Sequence, residues 1–408
     1  MENKKAFVAE PDLKSYSKEQ IMSAAIRLAR EEGYPMAVWR MPHQSEVNVL
    51  ISFNKALELE RYEMEELKNG FALAPFNFGE EKGLFLKADV IISFDFEEIV
   101  IKPGDSLQQA DQLNQFKVSL IEKLEQPEES TGFIQPRSLT PSNASDYREL
   151  VTRCVEAIKD GFIEKVVPAR TKDIQLPPSF DVVQFFTKLC TAYQNAFISF
   201  VSIPETGTWM GATPEVLIER EGHIFRTTAL AATQRYNPEN SLTETAWTQK
   251  EIEEQAMVSR YIINCFKRIR LREFSEKGPE TIKAGNLLHL KTTLEVDLIA
   301  TNFPELPTVM LELLHPTSAV AGMPREQALS FLKHEEKLDR SFYAGFLGPV
   351  NIEDKTNLFV NLRCMELTDE QARLYAGAGV TAHSNPEKEF AETEMKFNTL
   401  LNILNQSN

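Results

Sequence analysis

The 408-residue sequence has no run of about 18 apolar residues such as a membrane-spanning helix needs, and its first residues lack the apolar core of a signal peptide. We therefore expect a cytoplasmic protein without membrane contacts. Cysteine is scarce, and no pair has the CxxC spacing of metal sites, so we expect buried free thiols. The four cysteines are Cys154, Cys190, Cys265 and Cys364.

Positive charge is in deficit, because 60 acidic residues face 44 lysines and arginines, for a formal net charge of −16. Nonspecific nucleic-acid binding depends on neutralising phosphates, so this balance disfavours a nucleic-acid partner. A site for an anionic substrate would need local cations or a metal ion. Otherwise the composition, with 42% hydrophobic and 25% charged residues, is that of an ordinary globular protein.

The chain is long enough for two or three average domains, or for one unusually large domain. Residues 104–145 are polar, and the stretch QPEESTG at 126–132 has the composition of a linker. We place a boundary near residue 138, which divides a motif-poor part, 1–137, from a motif-rich part, 138–408.

Helix signals are separated by many strand-like runs. Capping boxes at Ser17–Gln20 and Thr248–Glu251 begin two helices, a third is predicted over 145–159, and the last begins at Pro386. Strand-like runs cover 36–40, 47–53, 162–170, 196–203, 208–211, 216–220, 287–296, 358–366 and 372–376. Many of these runs follow one another without a helix between them. The pattern predicts an α+β fold of large, mixed and mostly antiparallel sheets packed together with helices on the outside.

Lys165 and Glu215 are the two ionisable residues in the least usual settings. Lys165 lies in the strand-like run 162–170, where a lysine is poorly suited to burial unless it is paired or has lost its proton. Glu215 lies in a turn before the apolar run 216–218. A structural salt bridge is the ordinary interpretation of such residues. The catalytic interpretation is a base and an acid on neighbouring segments.

Two predicted helices carry acidic residues at helical spacing. Glu251 and Glu254 share a face of the second capped helix. Glu389, Glu392 and Lys396 share a face of the last helix. Carboxylates from two helices suit Mg²⁺, which takes one or two protein carboxylates together with a substrate anion. Each glutamate taken alone is equally typical of a solvated or lysine-paired helix surface.

Arg363 and the segment YAGAG at 375–379 are candidates for binding a carboxylate. Gly377 and Gly379 either form a simple turn or expose backbone N–H groups to an anion, to which Arg363 would add a bidentate contact. His289, in a strand-like run, is by default a core histidine. From the residues alone, the sequence indicates a Mg²⁺-dependent enzyme that acts on a small carboxylate.

Ten segments, in the same order, resemble the chorismate-utilising enzymes, and most closely the isochorismate synthases among them. They are KVVPAR (165–170), GATPE (211–215), LAAT (230–233), KEIEE (250–254), LHL (288–290), LHPTSAVAGMPR (314–325), DRSFYAG (339–345), LRC (362–364), YAGAG (375–379) and EFAET (389–393). Ten ordered matches are far more specific than any one of them. The resemblance implies that 138–408 is the chorismate-binding catalytic region and that 1–137 belongs to the same folded unit.

The resemblance also implies roles for matched residues. Lys165 would be the general base that activates water to attack C2 of chorismate, and Glu215 the general acid that protonates the departing C4 hydroxyl. Glu254 and Glu392 would bind Mg²⁺, which would hold a substrate carboxylate. The pocket and the second carboxylate site would comprise Ala231, Ala232, Thr233, His289, Arg363, Tyr375, Gly377, Gly379 and Lys396.

This chemistry agrees with the pattern of residues. Water is a poor nucleophile and hydroxide a poor leaving group, so a base and an acid must flank the ring. Lys165 can act as the base only when its amine is neutral, so the site must lower its pKa. Mg²⁺ and Arg363 are suited to lower it.

Lys165 discriminates among members of the family. Amine-transferring members such as anthranilate synthase use ammonia, lack this lysine and pair with a glutaminase. We therefore expect chorismate as the substrate and no glutaminase partner. Salicylate synthases keep the lysine and add a pyruvate-eliminating step, and they remain an alternative. An inactive chorismate-binding regulatory protein is the alternative from a different class.

Two positions depart from the family pattern. Ala232 stands where the family has glycine, and its methyl group would narrow the pocket or restrict the backbone. Pro168 replaces a leucine just after the expected base. Proline cannot donate to a strand ladder and belongs at an edge or a bulge. If the enzyme is active, its product would feed menaquinone or catecholate siderophore biosynthesis.

Overall fold

The computed structural model describes residues 13–95, 98–107, 110–126, 144–236, 241–242, 245–284 and 287–405. The expected boundary near residue 138, and all but the first residue of the linker-like stretch at 126–132, lie outside the described residues. Three of the four cysteines, Cys154, Cys265 and Cys364, are buried, and all four are free. Cys190 is only half-buried.

Eight α-helices and one short 3₁₀ helix, Leu13–Ser15, occur in the described part of the chain. The α-helices are α1 (Lys18–Glu31), α2 (Ala110–Glu125), α3 (Ala144–Lys159), α4 (Val182–Ala192), α5 (Gln249–Arg268), α6 (Leu306–Leu314), α7 (Arg325–Glu335) and α8 (Pro386–Asn405). Both predicted capping boxes are present, at the starts of α1 and α5. A search of the described helices finds none with the length and apolar character that a membrane crossing requires.

Twenty strands occur in the same described ranges. The first ten are β1 (Met36–Arg40), β2 (Val47–Ile51), β3 (Leu57–Leu59), β4 (Gly70–Ala74), β5 (Gly83–Lys87), β6 (Val90–Phe94), β7 (Ile99–Pro103), β8 (Lys165–Val166), β9 (Ala169–Gln175) and β10 (Phe197–Ile203). The others are β11 (Gly207–Thr213), β12 (Val216–Glu221), β13 (Ile224–Arg235), β14 (Ser275–Ala284), β15 (Leu287–Asp297), β16 (Gly322–Met323), β17 (Phe346–Val350), β18 (Lys355–Val360), β19 (Cys364–Leu367) and β20 (Gln371–Gly377).

Two nine-stranded sheets dominate the fold. The first has the order β7-β6-β2-β1-β10-β11-β19-β20-β9, and the second has the order β14-β15-β13-β12-β18-β17-β4-β5-β3. A third sheet contains only β16 and β8. Neighbouring strands run antiparallel, as in the pairs β1–β10, β11–β19 and β12–β18. The predicted α+β fold with large, mostly antiparallel sheets is confirmed. Strands from before residue 104 occur in both large sheets, where β1 pairs with β10 and β4 pairs with β17.

Two apolar cores explain why the central strands are apolar on both faces. One core lies between the two large sheets, where the rings of Phe197 and Phe359 stack 4.2 Å apart. The other lies between the first sheet and helices α1, α2, α4 and α8. All seven residues of β10 are buried because each face of this strand meets one of the cores. Helices α5 and α6 pack against the second sheet.

Two predicted strands are wrong, because each one is broken where the chain changes sheets. The run 162–170 divides into β8, which pairs with β16, and β9, which pairs with β20, with Pro168 between them. Proline has no N–H for a ladder, and here it occupies a position that needs none. The run 358–366 divides into β18 of the second sheet and β19 of the first.

Candidate active site

The candidate site forms where the chain crosses between the large sheets at two adjacent points. One crossing, at Pro214–Glu215, leads from β11 of the first sheet to β12 of the second. The other, at 361–363, leads from β18 back to β19. The backbone N–H of Val360 donates to the carbonyl of Glu215 at 3.0 Å and ties the crossings together. This arrangement brings Glu215 and Arg363 to the same site.

All the residues given roles above line one cavity of about 740 Å³. Their backbones belong to the small sheet, both large sheets, the crossings and helices α5 and α8. They are Lys165, Glu215, Ala231, Ala232, Thr233, Glu254, His289, Arg363, Tyr375, Gly377, Gly379, Glu392 and Lys396. Their shared location agrees with one functional site, and their individual roles stay predictions.

Lys165 is only 5% exposed, and its Nζ lies 3.0 Å from Oε1 of Glu254. Its ion-pair partner is therefore the glutamate on α5. A Cβ at position 379 would come within 2.9 Å of Cε of Lys165, so a larger residue there would displace the end of the lysine side chain. Gly379 thus does more than form a turn, since it leaves room for the lysine side chain.

The carboxyl group of Glu215 has a pKa raised toward neutral pH. Burial raises the pKa of its carboxyl group to about 7, although the Thr317 hydroxyl and the charge of Arg363 act in the opposite direction. The Thr317 hydroxyl donates to Oε1 of Glu215 at 3.4 Å. A carboxyl group that keeps its proton close to neutral pH is suited to act as a general acid.

Glu254 and Glu392 form an acidic pair on two helices. Burial raises the pKa of Glu392, but the Lys396 ammonium, 2.7 Å from Oε1, outweighs it, and the pKa lies below its usual value. Glu254 lines the same cavity as Glu392, and its negative charge acts to raise the pKa of Glu392. Within the described ranges no group of three or more metal-ligating side chains occurs. Two carboxylates nevertheless fit Mg²⁺, which completes its shell with water and substrate oxygens.

Lys396 has a second contact, because its Nζ donates to the carbonyl of Gly377 at 2.7 Å. This bond links α8 to the end of β20. Glu251, by contrast, has a structural role: its Oε2 accepts from the Thr248 N–H at 2.7 Å and from Nε2 of Gln234 at 2.8 Å. Glu251 therefore caps the start of α5, and it also lines the candidate cavity.

Ala232 and His289 are joined through a bulge in β13. Ala232 has a φ of +58°, in the left-handed region, and the ladder between β13 and β15 changes register between Ala231 and Gln234. Nδ1 of His289 donates to the Ala232 carbonyl at 2.9 Å. Because a carbonyl only accepts, Nδ1 carries the proton and Nε2 is an acceptor in the neutral ring. Burial lowers the pKa of His289 to about 4, which keeps the ring neutral.

Comparison with known proteins gives the family. The family model described as "Chorismate binding enzyme" matches residues 92–405, which is most of the chain. The chain belongs to the chorismate-binding enzymes. The resemblance seen in the ten sequence segments is thereby confirmed.

Curated relatives of this chorismate-binding enzyme include isochorismate synthases. EntC of Escherichia coli is 28% identical over 262 residues, which span 63% of this chain and 66% of that relative, just under two thirds. DhbC of Bacillus subtilis is 30% identical over 271 residues, with 64% and 67% covered. The solved structure of E. coli MenF, titled a menaquinone-specific isochorismate synthase, has the same fold: the TM-score is 0.78 at 20% identity, with 96% of this chain and 92% of that chain covered.

Tyr343 is a second tyrosine in the cavity of this chorismate-binding enzyme, and the sequence did not predict a role for it. The rings of Tyr343 and Tyr375 stack 5.5 Å apart, and both line the cavity. The Tyr375 hydroxyl donates to Oε2 of Glu366 at 3.3 Å. The Tyr343 hydroxyl would lie 3.1 Å from a Cβ at Gly377, and its electrostatic neighbours include Arg363. The signal was available, because Tyr343 lies in the matched segment 339–345.

The left-handed backbone of Ala232 leads to a stability prediction. We expect Ala232→Gly to change the free energy of unfolding by less than about 0.5 kcal/mol, because relief of about 1–2 kcal/mol of left-handed strain offsets the lost methyl burial and the added chain entropy. Ala229 is a matched control, since it is fully buried in the same strand in regular register with Thr292. Ala229→Gly should lower the free energy by about 1.5 kcal/mol. Equal losses in denaturant unfolding would contradict the strain at Ala232.

Proposed function

We propose that this chorismate-binding enzyme is an isochorismate synthase. The observation that carries the proposal is that Lys165 and Glu215 line one cavity, where the Glu215 carboxyl group keeps its proton close to neutral pH. An amine and a protonated carboxyl group in one cavity suit the addition of one water and the departure of another. The isochorismate synthases among the curated relatives support the same reaction.

The proposed reaction is an allylic displacement on the ring of chorismate. Lys165, as a neutral amine released from its ion pair with Glu254, takes a proton from water as the water oxygen bonds to C2. The two ring double bonds each shift by one position, and the C4–O bond breaks. Glu215 gives its proton to the departing C4 oxygen, which leaves as water. One water enters and one leaves, so the product is an isomer of the substrate.

Binding of the dianionic substrate is assigned to two sets of groups that line the cavity. Glu254 and Glu392 would hold Mg²⁺, and the bound ion would supply positive charge to a substrate carboxylate. Arg363, the backbone at Gly377 and the Tyr343 hydroxyl would contact the other carboxylate. Burial raises the pKa of Tyr343, so its hydroxyl keeps the proton that such a contact needs.

The two tyrosines provide a paired test of substrate binding. Tyr343→Phe should raise KM for chorismate by at least about tenfold, because a hydrogen bond to a charged group contributes about 1.5–3 kcal/mol. Tyr375→Phe should change KM much less, since its hydroxyl already donates to Glu366. Steady-state kinetics of both variants would decide, and a larger effect at Tyr375 would reverse the assignment.

Removing one carboxylate tests the proposed metal site. Glu392→Gln should raise the Mg²⁺ concentration for half-maximal activity by at least about tenfold, because even outer-shell changes cost 10–100-fold in metal affinity. Glu387→Gln is the control, since Glu387 lies on the same helix but forms an exposed ion pair with Arg148. If both variants kept the same Mg²⁺ dependence as the unaltered enzyme, Glu392 would not be a ligand.

Product analysis tests the reaction itself. Purified protein is incubated with chorismate and Mg²⁺, with and without EDTA, and the products are separated by chromatography. We expect isochorismate in equilibrium with chorismate, and its loss on chelation. Salicylate together with pyruvate would make the protein a salicylate synthase, and unchanged chorismate would favour a binding protein. Isochorismate formed without any added glutaminase would also agree with the absence of such a partner, and would feed menaquinone or siderophore biosynthesis.

A further inference from the structure

A buried arginine–glutamate pair lies next to the segment that carries Lys165. Nε of Arg340 donates to Oε1 of Glu336 at 2.6 Å, and Nη2 donates to Oε2 at 2.8 Å. The two side chains are only 3% and 5% exposed. Neither residue lines the cavity, and the proposed reaction uses neither of them.

The pair holds the two backbone groups that flank Pro168. The carbonyl of Val167 accepts from Nη2 of Arg340 at 2.7 Å. The N–H of Ala169 donates to Oε2 of Glu336 at 2.8 Å. These groups lie where the chain leaves β8 for β9, so strand pairing does not satisfy them in a continuous ladder. One ion pair therefore fixes the backbone on both sides of the proline.

Arg340 also contacts a second segment of the cavity wall. Its Nη1 donates to the carbonyl of Val320 at 3.0 Å, and Val320 lines the same cavity as Lys165. The guanidinium lies 4.2 Å from the centre of the Phe76 ring. The planar guanidinium group of Arg340 thus sets the distance between the segment at Val320 and the segment that carries Lys165.

We propose that Arg340 and Glu336 are positioning residues for Lys165, an inference that rests on the proposed function. Lys165 lies two residues before Val167, and its side chain passes tightly over Gly379. A backbone shift at Val167 would therefore carry Nζ of Lys165 away from its place in the cavity. The substitution Arg340→Lys would keep the positive charge but would remove the guanidinium group, which donates to two carbonyls and a carboxylate at the same time.

The test compares Arg340→Lys and Glu336→Gln with Arg226→Lys. Arg226 bonds to Glu219 and Glu295, and lies in β13 five residues from Ala231. In the first two variants we expect kcat for isochorismate formation to fall by at least about tenfold, because misplacement by about 1 Å can cost roughly 100-fold in rate. KM for chorismate should stay within about twofold, since substrate binding is left in place. The control should keep the kcat of the unaltered enzyme.

A merely structural role would give a different result. It would lower the folded fraction, measured by circular dichroism and thermal unfolding, but would leave kcat per folded molecule unchanged. That outcome in both variants would overturn the proposal. Glu336→Gln keeps the volume and one acceptor oxygen, so it serves as the milder variant where Arg340→Lys fails to fold.

A second readout does not depend on activity. Lys165 is buried, so it should react slowly with acetic anhydride in the unaltered protein, as measured by mass spectrometry. We expect faster acetylation of Lys165 in both variants and unchanged acetylation in the Arg226→Lys control. Unchanged protection in both would overturn the positioning role. If the unaltered protein makes no isochorismate, the proposed function fails, while this labelling still tests the role of the pair.

Discussion

Replacement of Glu215 by glutamine should slow isochorismate formation by about 10²–10⁴-fold, the usual contribution of general acid–base catalysis. Glutamine has nearly the same shape but cannot give a proton to the departing C4 oxygen. The surrounding fold should be unaffected, because the backbone bond from Val360 to the carbonyl of residue 215 does not involve the side chain. Steady-state rates of the variant and of the unaltered enzyme at saturating chorismate and Mg²⁺ provide the measurement.

The pH dependence of kcat provides a control on this role. Only the protonated carboxyl group can act as an acid, and burial raises its pKa to about 7, so kcat should fall as the pH rises through about 7. The Thr317 hydroxyl lowers this pKa by donating to the carboxylate. Thr317→Val should therefore move the fall in kcat to higher pH. The same high-pH limb in the Glu215→Gln variant would mean that another group is the acid.

Lys165→Ala should reduce turnover by at least about 10³-fold, because no base then takes the proton from the water that attacks C2. Binding should persist, since the proposed metal and carboxylate contacts come from other residues. Calorimetric titration with chorismate in the presence of Mg²⁺ measures binding, and chromatography measures turnover.

Lys172→Ala is a matched control for this prediction. Lys172 lies seven residues further along, in β9, and Nζ is 2.8 Å from Oε2 of Glu394 on α8. Removing it deletes a half-buried lysine in an ion pair without altering the cavity lining. Turnover in the Lys172→Ala variant should stay close to that of the unaltered enzyme. Turnover in the Lys165→Ala variant comparable to that of Lys172→Ala would end the assignment of Lys165 as the base.

Local signals in the sequence predicted much of the fold. The capping boxes at Ser17 and Thr248 are short-range features, so the starts of α1 and α5 could be predicted from four residues each. Apolar runs in the sequence predicted central strands such as β10, because a strand that is buried on both faces is apolar at nearly every position. The breaks at Pro168 and near Arg363 were missed, because apolar periodicity does not reveal that neighbouring residues join different sheets.

The sequence predicted which residues line the candidate site, but not which of their side chains contact each other. The residues that the matched segments predicted for the site line one cavity. The family has glycine where this chain has Ala232, which agrees with the left-handed φ of that residue. The partner of Lys165 was not predictable, because Glu254 lies 89 residues away and a contact at that distance depends on the whole fold. For the same reason no local pattern indicates that the Tyr375 hydroxyl donates to Glu366 while that of Tyr343 lies beside Gly377.

The central claim is that a water molecule adds at C2 while the C4 hydroxyl departs, with Lys165 and Glu215 moving the protons. The most direct test is the reaction in H₂¹⁸O, with the products analysed by mass spectrometry at early times. One ¹⁸O atom should enter the new C2 hydroxyl of isochorismate, and the reverse reaction should then place ¹⁸O at C4 of chorismate. Isochorismate that forms at the normal rate without ¹⁸O would show that the original hydroxyl migrates within the substrate, and would contradict the proposed roles of both residues.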